Sequence, residues 1–141
     1  MSIKRLILNL IFCLTYTVGI SQVYEYKTNI VQHKTVYSSQ VIMGDRYYVG
    51  DGSIIMDFDN KTIALYTGNR TKPFKGHIIE EVKRNDFDRQ FLVYNEENEW
   101  DIYSVFLCYN KDGVYSVMYV YVKQDFSEIT EFSVHKTIRL K

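Results

Sequence analysis

Two alternating apolar runs meet at Asn110-Lys111-Asp112-Gly113, and this junction constrains the chain more than any other feature. Asn and Asp bond neighbouring backbone in turns, and glycine takes left-handed conformations without steric cost. The pattern predicts a type I turn closed by a glycine bulge, hence a β-hairpin. Pairing Asn110 with Val114 then sets the register: Tyr109 opposite Tyr115, Leu107 opposite Val117, Val105 opposite Tyr119 and Tyr103 opposite Tyr121. These residues share one face, because strand side chains alternate. The other face carries Trp100, Ile102, Phe106, Cys108, Met118, Val120 and Val122. It is the expected core face, with Phe106 and Val120 as core residues.

The rest of the chain reads the same way. A second hairpin is expected from Ser53 to Thr67, with Ile54, Met56 and Phe58 alternating before a turn at Asp59-Asn60-Lys61, and Ile63 and Leu65 answering after it. Further strands are expected at Thr35–Met43, Arg46–Val49, Gly76–Val82, Gln90–Asn95 and Glu128–Arg139, with Val23–Val31 as an edge segment. Ile78–Phe91 has a competing helical spacing through Ile78, Ile79 and Val82, but Asn85 and Asp86 interrupt it. Short strands separated by frequent turn signals indicate an all-β sandwich or barrel. About eight antiparallel strands can close around one ligand or fill the interior with side chains. In strand count and expected export the chain is similar to lipocalin-like small barrels. It lacks their Gly-x-Trp motif near the mature start, its only tryptophan being Trp100.

The first residues read as a leader. Lys4 and Arg5 precede an apolar stretch from Leu6 to Ile20, and Gly19 and Ser21 supply small residues at the cleavage positions. This is the order of a secretory signal peptide, and the stretch falls short of the roughly 20 apolar residues that span a bilayer. Residues 1–21 are therefore expected to leave a mature chain beginning at Gln22, with no transmembrane span and a periplasmic or extracellular destination. Cys13 lies within the apolar run behind Ile11 and Phe12, which argues against lipidation.

The remaining 120 residues suit one domain, 22–141. They carry 15 basic and 17 acidic side chains, which excludes the global footprint of a nucleic-acid binder. A single cysteine, Cys108, leaves no internal disulfide framework, so the core must hold the domain. Twelve tyrosines and seven phenylalanines remain in the mature chain, in keeping with half-buried strands.

Chemistry-bearing constellations are weak. Asp57-Phe58-Asp59-Asn60 places two carboxylates at a strand end, but an EF-hand would need glycine at its sixth position and glutamate at its twelfth, where Thr62 and Gly68 stand. The expectation is that Asp57 points outward and Asp59 caps the turn. His33, His77 and His135 show no zinc spacing. His77 and Glu81 would share a strand face, a fragment of an acid–base site at most. No nucleophile elbow or phosphate-cradling loop is present. Asn60-Lys61-Thr62 and Asn69-Arg70-Thr71 match the glycosylation sequon, which matters only in a glycosylating source. No catalytic, metal or cofactor residue is assigned.

The most informative feature is the tyrosine face. A surface tyrosine offers a flat apolar ring with a wet tip, suited to stacking on a sugar, lipid or protein. Tyr103, Tyr119, Tyr121, Tyr109 and Tyr115 are the candidate binding residues, and the competing reading of the same face is a second packed layer or an ordinary solvent face. The expectation is an exported, non-catalytic β-domain that binds a ligand or protein partner through this face or a barrel mouth. The alternative is a structural or protein-interaction module of the cell envelope with no small ligand, and an enzyme ranks third. A deep pocket lined by Tyr119 and Tyr121 would favour a ligand, and a filled interior with a flat exposed aromatic patch would favour a protein partner.

Overall fold

The computed structural model describes residues 22–66 and 73–141, excluding the side chains of Tyr47 and Val49. The expected leader, 1–21, and the Asn69 sequon lie outside the described residues. Eight strands follow one another: β1 Val23–Tyr37, β2 Val41–Asp57, β3 Thr62–Tyr66, β4 Phe74–Arg84, β5 Asp88–Asn95, β6 Asn98–Asn110, β7 Gly113–Val122 and β8 Phe126–Arg139. Each pairs antiparallel with its neighbour, and β8 pairs with β1, so the sheet closes into a barrel. Ile78–Phe91 is not a helix but β4, a turn and the start of β5.

The turns define two ends. The β2–β3, β4–β5 and β6–β7 turns lie at the end where β1 begins and β8 finishes. The β1–β2, β5–β6 and β7–β8 turns lie at the other, here called the mouth. The Asn110–Gly113 turn forms as its chemistry requires. Asn110 Oδ1 accepts the Asp112 N–H at 2.8 Å, and Gly113 sits at φ 117°, a region that disfavours any side chain. Leu107 faces Val117 and Val105 faces Tyr119, as expected. Nearer the turn a register shift after Cys108 pairs Asn110 with Gly113 and Tyr109 with Val114, not with Val114 and Tyr115. The second hairpin forms with Ser53 opposite Tyr66 and Ile54 opposite Leu65. Its cap differs from expectation: Asp57 Oδ1 accepts the N–H groups of Asp59 and Asn60 at 3.1 and 3.0 Å, while Asp59 Oδ2 accepts the Gln22 N–H at 3.0 Å.

Two assignments near the start change. Thr35–Met43 is not one strand, because the chain reverses at Ser38–Gln40 between β1 and β2, closed by the Tyr37 N–H on the Gln40 carbonyl at 2.8 Å. Val23–Val31 is not an edge, because β1 has a hydrogen-bonded neighbour on each side.

The core occupies the middle of the barrel. Ile54 and Met56 from β2, Ile63 and Leu65 from β3, Phe91 and Val93 from β5, Val105 and Leu107 from β6, Val117 and Tyr119 from β7, and Phe132 from β8 pack as one buried cluster. Eight strands leave an interior that side chains of this size can fill. Gly76 shows the fit, since a Cβ there would meet Val93 Cγ1 at 2.6 Å.

This core reverses the expected faces of β6 and β7. Val105, Leu107 and Val117 are 0% exposed, whereas Phe106 and Val120 are only partly buried and Trp100, Ile102 and Val122 are exposed. Both faces of this hairpin are apolar, so its own pattern could not choose between them. The neighbouring strands decide. On the outer side Phe106 and Met118 pair with each other and are flanked by Gln90 of β5 and Glu131 of β8. Putting that row inside would bury a carboxylate and an amide among aliphatic chains, at a cost of several kcal/mol or more. Cys108 is nonetheless buried, beside Asp88 and Ser116, and burial pushes its thiol pKa up.

Candidate functional site

The five candidate tyrosines do not form one patch. Tyr119 points into the core, nearly fully buried, and burial raises its hydroxyl pKa above the ordinary range. Tyr109 lies at the end opposite the mouth, partly buried, and Tyr115 is exposed and lines a shallow outer cleft with His135 and Lys136. The register shift after Cys108 parts these last two. Tyr103 and Tyr121 remain together, their ring centroids 4.9 Å apart, at the inner lip of the mouth.

Around that pair the fold assembles a ladder of rings running from core to solvent. Phe132 meets Tyr119 edge-on at 5.7 Å, and Phe74 meets both Tyr119 at 5.9 Å and Tyr103 at 5.6 Å, again edge-on. Such T-shaped contacts place a positive ring edge on a negative ring face. Tyr103 passes the contact to Tyr121. Beyond it Lys123 Nζ lies 5.6 Å from the Tyr121 ring and 5.2 Å from that of Phe126, which stands 5.7 Å from Tyr37. The β7–β8 turn, closed by the Lys123 N–H on the Phe126 carbonyl, and the Tyr37–Phe126 register of β1 and β8 bring these last residues in.

Acid groups fix the lip. Tyr121 donates to Asp101 Oδ1 at 3.0 Å, and this bond is the main reason its hydroxyl pKa is raised. For Tyr103 burial is the first cause of a rise and the Asp101 charge the second. Lys123 pairs with Glu128 at 3.4 Å. Outside the lip, Trp100 is 86% exposed, Val122 70% and Ile102 about half. Val41, Ile42 and Met43 continue the exposed apolar rim on β2. The sequence reading missed Phe74, Lys123, Phe126 and Tyr37. The pairing of β8 with β1 brings Tyr37 and Phe126 together, and no local pattern announces a closure between strands so far apart in the chain.

The opposite end holds a more polar arrangement. An open cleft of about 290 Å³ is lined by Tyr24, Tyr26, Arg89, Tyr109 and the turn residues Asp112 and Gly113. The Arg89 guanidinium lies 5.0 Å from both the Phe58 and Phe91 rings and donates from Nε and Nη2 to Glu81, each bond 2.9 Å. Arg84 donates to the same carboxylate. Hydrogen bonds from Arg89 first, then Arg84, bring the Glu81 pKa down to about 2. The Arg89 charge is thus engaged by Glu81 and is not left for a ligand. His77 and Glu81 form no acid–base site: His77 stacks on Tyr94 and faces Glu96 at 3.5 Å, while Glu81 holds Arg84 and Arg89. Among the described residues no group of three or more His, Cys, Asp or Glu side chains is placed to hold a metal.

No known family and no curated protein matches the chain. Among solved structures it is similar to HpuA from Kingella denitrificans, seen in complex with human haemoglobin, at 8% identity and a TM-score of 0.38. The match covers 85% of this chain but 44% of that one, so the chain spans less than half the length of that protein.

Proposed function

We propose that this chain is an exported, non-catalytic barrel that docks a protein partner at its mouth, with Tyr103 and Tyr121 at the lip and Trp100, Ile102 and Val122 as the apolar contact. One observation carries the reading: a buried aliphatic and aromatic cluster occupies the middle of the barrel, while large apolar groups stand exposed around one end. Met56, Phe91 and Leu107 occupy the middle of the barrel, and in the cleft at the opposite end the Arg89 charge is already taken up by Glu81. Contiguous exposed apolar side chains, rimmed by polar ones, are the usual mark of a protein interface. Tryptophan and tyrosine are the side chains that most often dominate such interfaces. A membrane surface fits less well, because Glu99, Asp101 and Glu128 at this end would repel anionic headgroups.

The test is site-specific photocrosslinking in the cell of origin. A photoreactive residue at position 100 or 122 should give a discrete protein adduct, identified by mass spectrometry. The same residue at position 87, equally exposed but at the opposite end, should not. Adducts at 87 alone, or lipid adducts at 100, would overturn the reading.

A further inference from the structure

We infer that the segment docking at the mouth is basic, and that a lysine or arginine of the partner displaces Lys123 from the rings of Tyr121 and Phe126. This rests on the docking reading above and names the chemistry of the partner.

Lys123 is a weakly held occupant. It follows β7 directly, its side chain is 41% exposed, and its contacts are two ring faces and one exposed carboxylate, Glu128. Cation–π contacts and ion pairs at exposed sites are each worth little, so the ammonium can swing into water at small cost. What it leaves is a cradle with the chemistry of a cation site: the faces of Tyr121 and Phe126, with Asp101 and Glu128 beside them. Ring faces carry the negative part of the quadrupole and reward a cation, not an anion.

The surrounding charge points the same way. On the β5–β6 turn, the start of β6, the β7–β8 turn and the start of β8 stand Glu96, Glu97, Glu99, Asp101, Asp125 and Glu128. Among the described residues of these elements and the adjoining start of β4, only Lys75 and Lys123 oppose them. A negative rim steers a positive partner and penalises a negative one. The occupant is a side chain of a polypeptide and not a free ammonium ion, because the cradle adjoins Trp100, Ile102 and Val122, whose exposed area only a larger ligand would cover.

The experiment is an NMR titration of the barrel with two capped peptides, one alternating leucine with arginine and one alternating leucine with glutamate. The arginine peptide should shift the ring signals of Tyr121 and Phe126 and lose affinity as salt is raised. The glutamate peptide should leave those signals unmoved. Lys123→Gln should bind the arginine peptide about threefold to tenfold tighter, having lost the internal competitor. Its melting temperature should match wild type, which separates this effect from any on folding. Phe126→Leu should weaken binding by a similar factor. Equal binding of the glutamate peptide, or no gain in Lys123→Gln, overturns the basic-segment inference. If photocrosslinks still form at position 100, the docking reading survives that failure. If they do not, both fall together.

Discussion

Truncating Leu107 and truncating its neighbour Phe106 should have opposite weights from those that size alone suggests. Leu107 is 0% exposed, faces Val117 across the hairpin and belongs to the buried cluster with Phe91 and Phe132. Leu107→Ala removes about three buried carbon groups and leaves a cavity that a closed sheet cannot collapse, which costs about 2–5 kcal/mol. Phe106 is larger but only partly buried, on the outer row between Gln90 and Met118. Losing half of a burial worth about 1.5–3 kcal/mol predicts roughly 1 kcal/mol for Phe106→Ala. Urea unfolding followed by circular dichroism reads both. With a slope of about 1–3 kcal/mol per molar, Leu107→Ala should lower the midpoint by about 1 M or more, and Phe106→Ala by well under that. A Phe106→Ala midpoint lower than that of Leu107→Ala, with unchanged slopes, would refute the inside–outside assignment of the whole hairpin.

Three further outcomes follow from particular contacts. The Tyr119 hydroxyl is buried with no hydrogen-bond partner among the described residues, so Tyr119→Phe should leave stability unchanged or raise it by about 1 kcal/mol in the same unfolding assay. Gly113→Val forces a branched side chain to φ 117° and should cost about 1 kcal/mol or more, read as a lower thermal midpoint. Glu81 titrates near 2 in the folded chain against an ordinary value of 4.5, so its pairing with Arg89 and Arg84 stabilises the fold fully above pH 4.5 and is lost as pH falls toward 2. Melting temperatures of Glu81→Gln and wild type should therefore converge across that window, and a gap that stays constant would contradict the pairing.

What could be read from the chain and what could not divide along physical lines. The Asn110–Gly113 turn was legible because local side-chain bonds and one glycine determine it, and its distal register followed. The Ile54–Leu65 hairpin was legible because its alternation is unbroken. β1 reads as an edge in the sequence because its inner positions change parity. Tyr24, Tyr26 and Thr28 lie on even numbers and Val31 on an odd one, across a register shift between Thr28 and Ile30. A bulge of this kind hides a strand from any test of strict alternation. The turn at Ser38–Gln40 is harder to read because its only turn formers are Ser38 and Ser39, whose hydroxyls bond nearby backbone more weakly than Asn or Asp. The direction of the β6–β7 faces was not encoded in those strands at all, but in Gln90 and Glu131 on the strands beside them. The candidate site shows the same split. Tyr103 beside Tyr121 is a hairpin property and Phe126 joins them through the β7–β8 turn, whereas Tyr37 arrives only through barrel closure.

The docking claim can be tested most directly through Trp100, the chain's single tryptophan. Its fluorescence in the free protein should be that of a solvated indole, freely quenched by acrylamide, because 86% of the residue is exposed. Adding the partner identified by crosslinking should shift the emission to the blue and suppress quenching. In a Trp100→Phe protein carrying Phe87→Trp, the reporter at the opposite end should keep its full quenching with the partner bound. A Trp100 that stays fully quenchable while the reporter at position 87 becomes shielded would show that the partner docks at the other end of the barrel and would contradict the account.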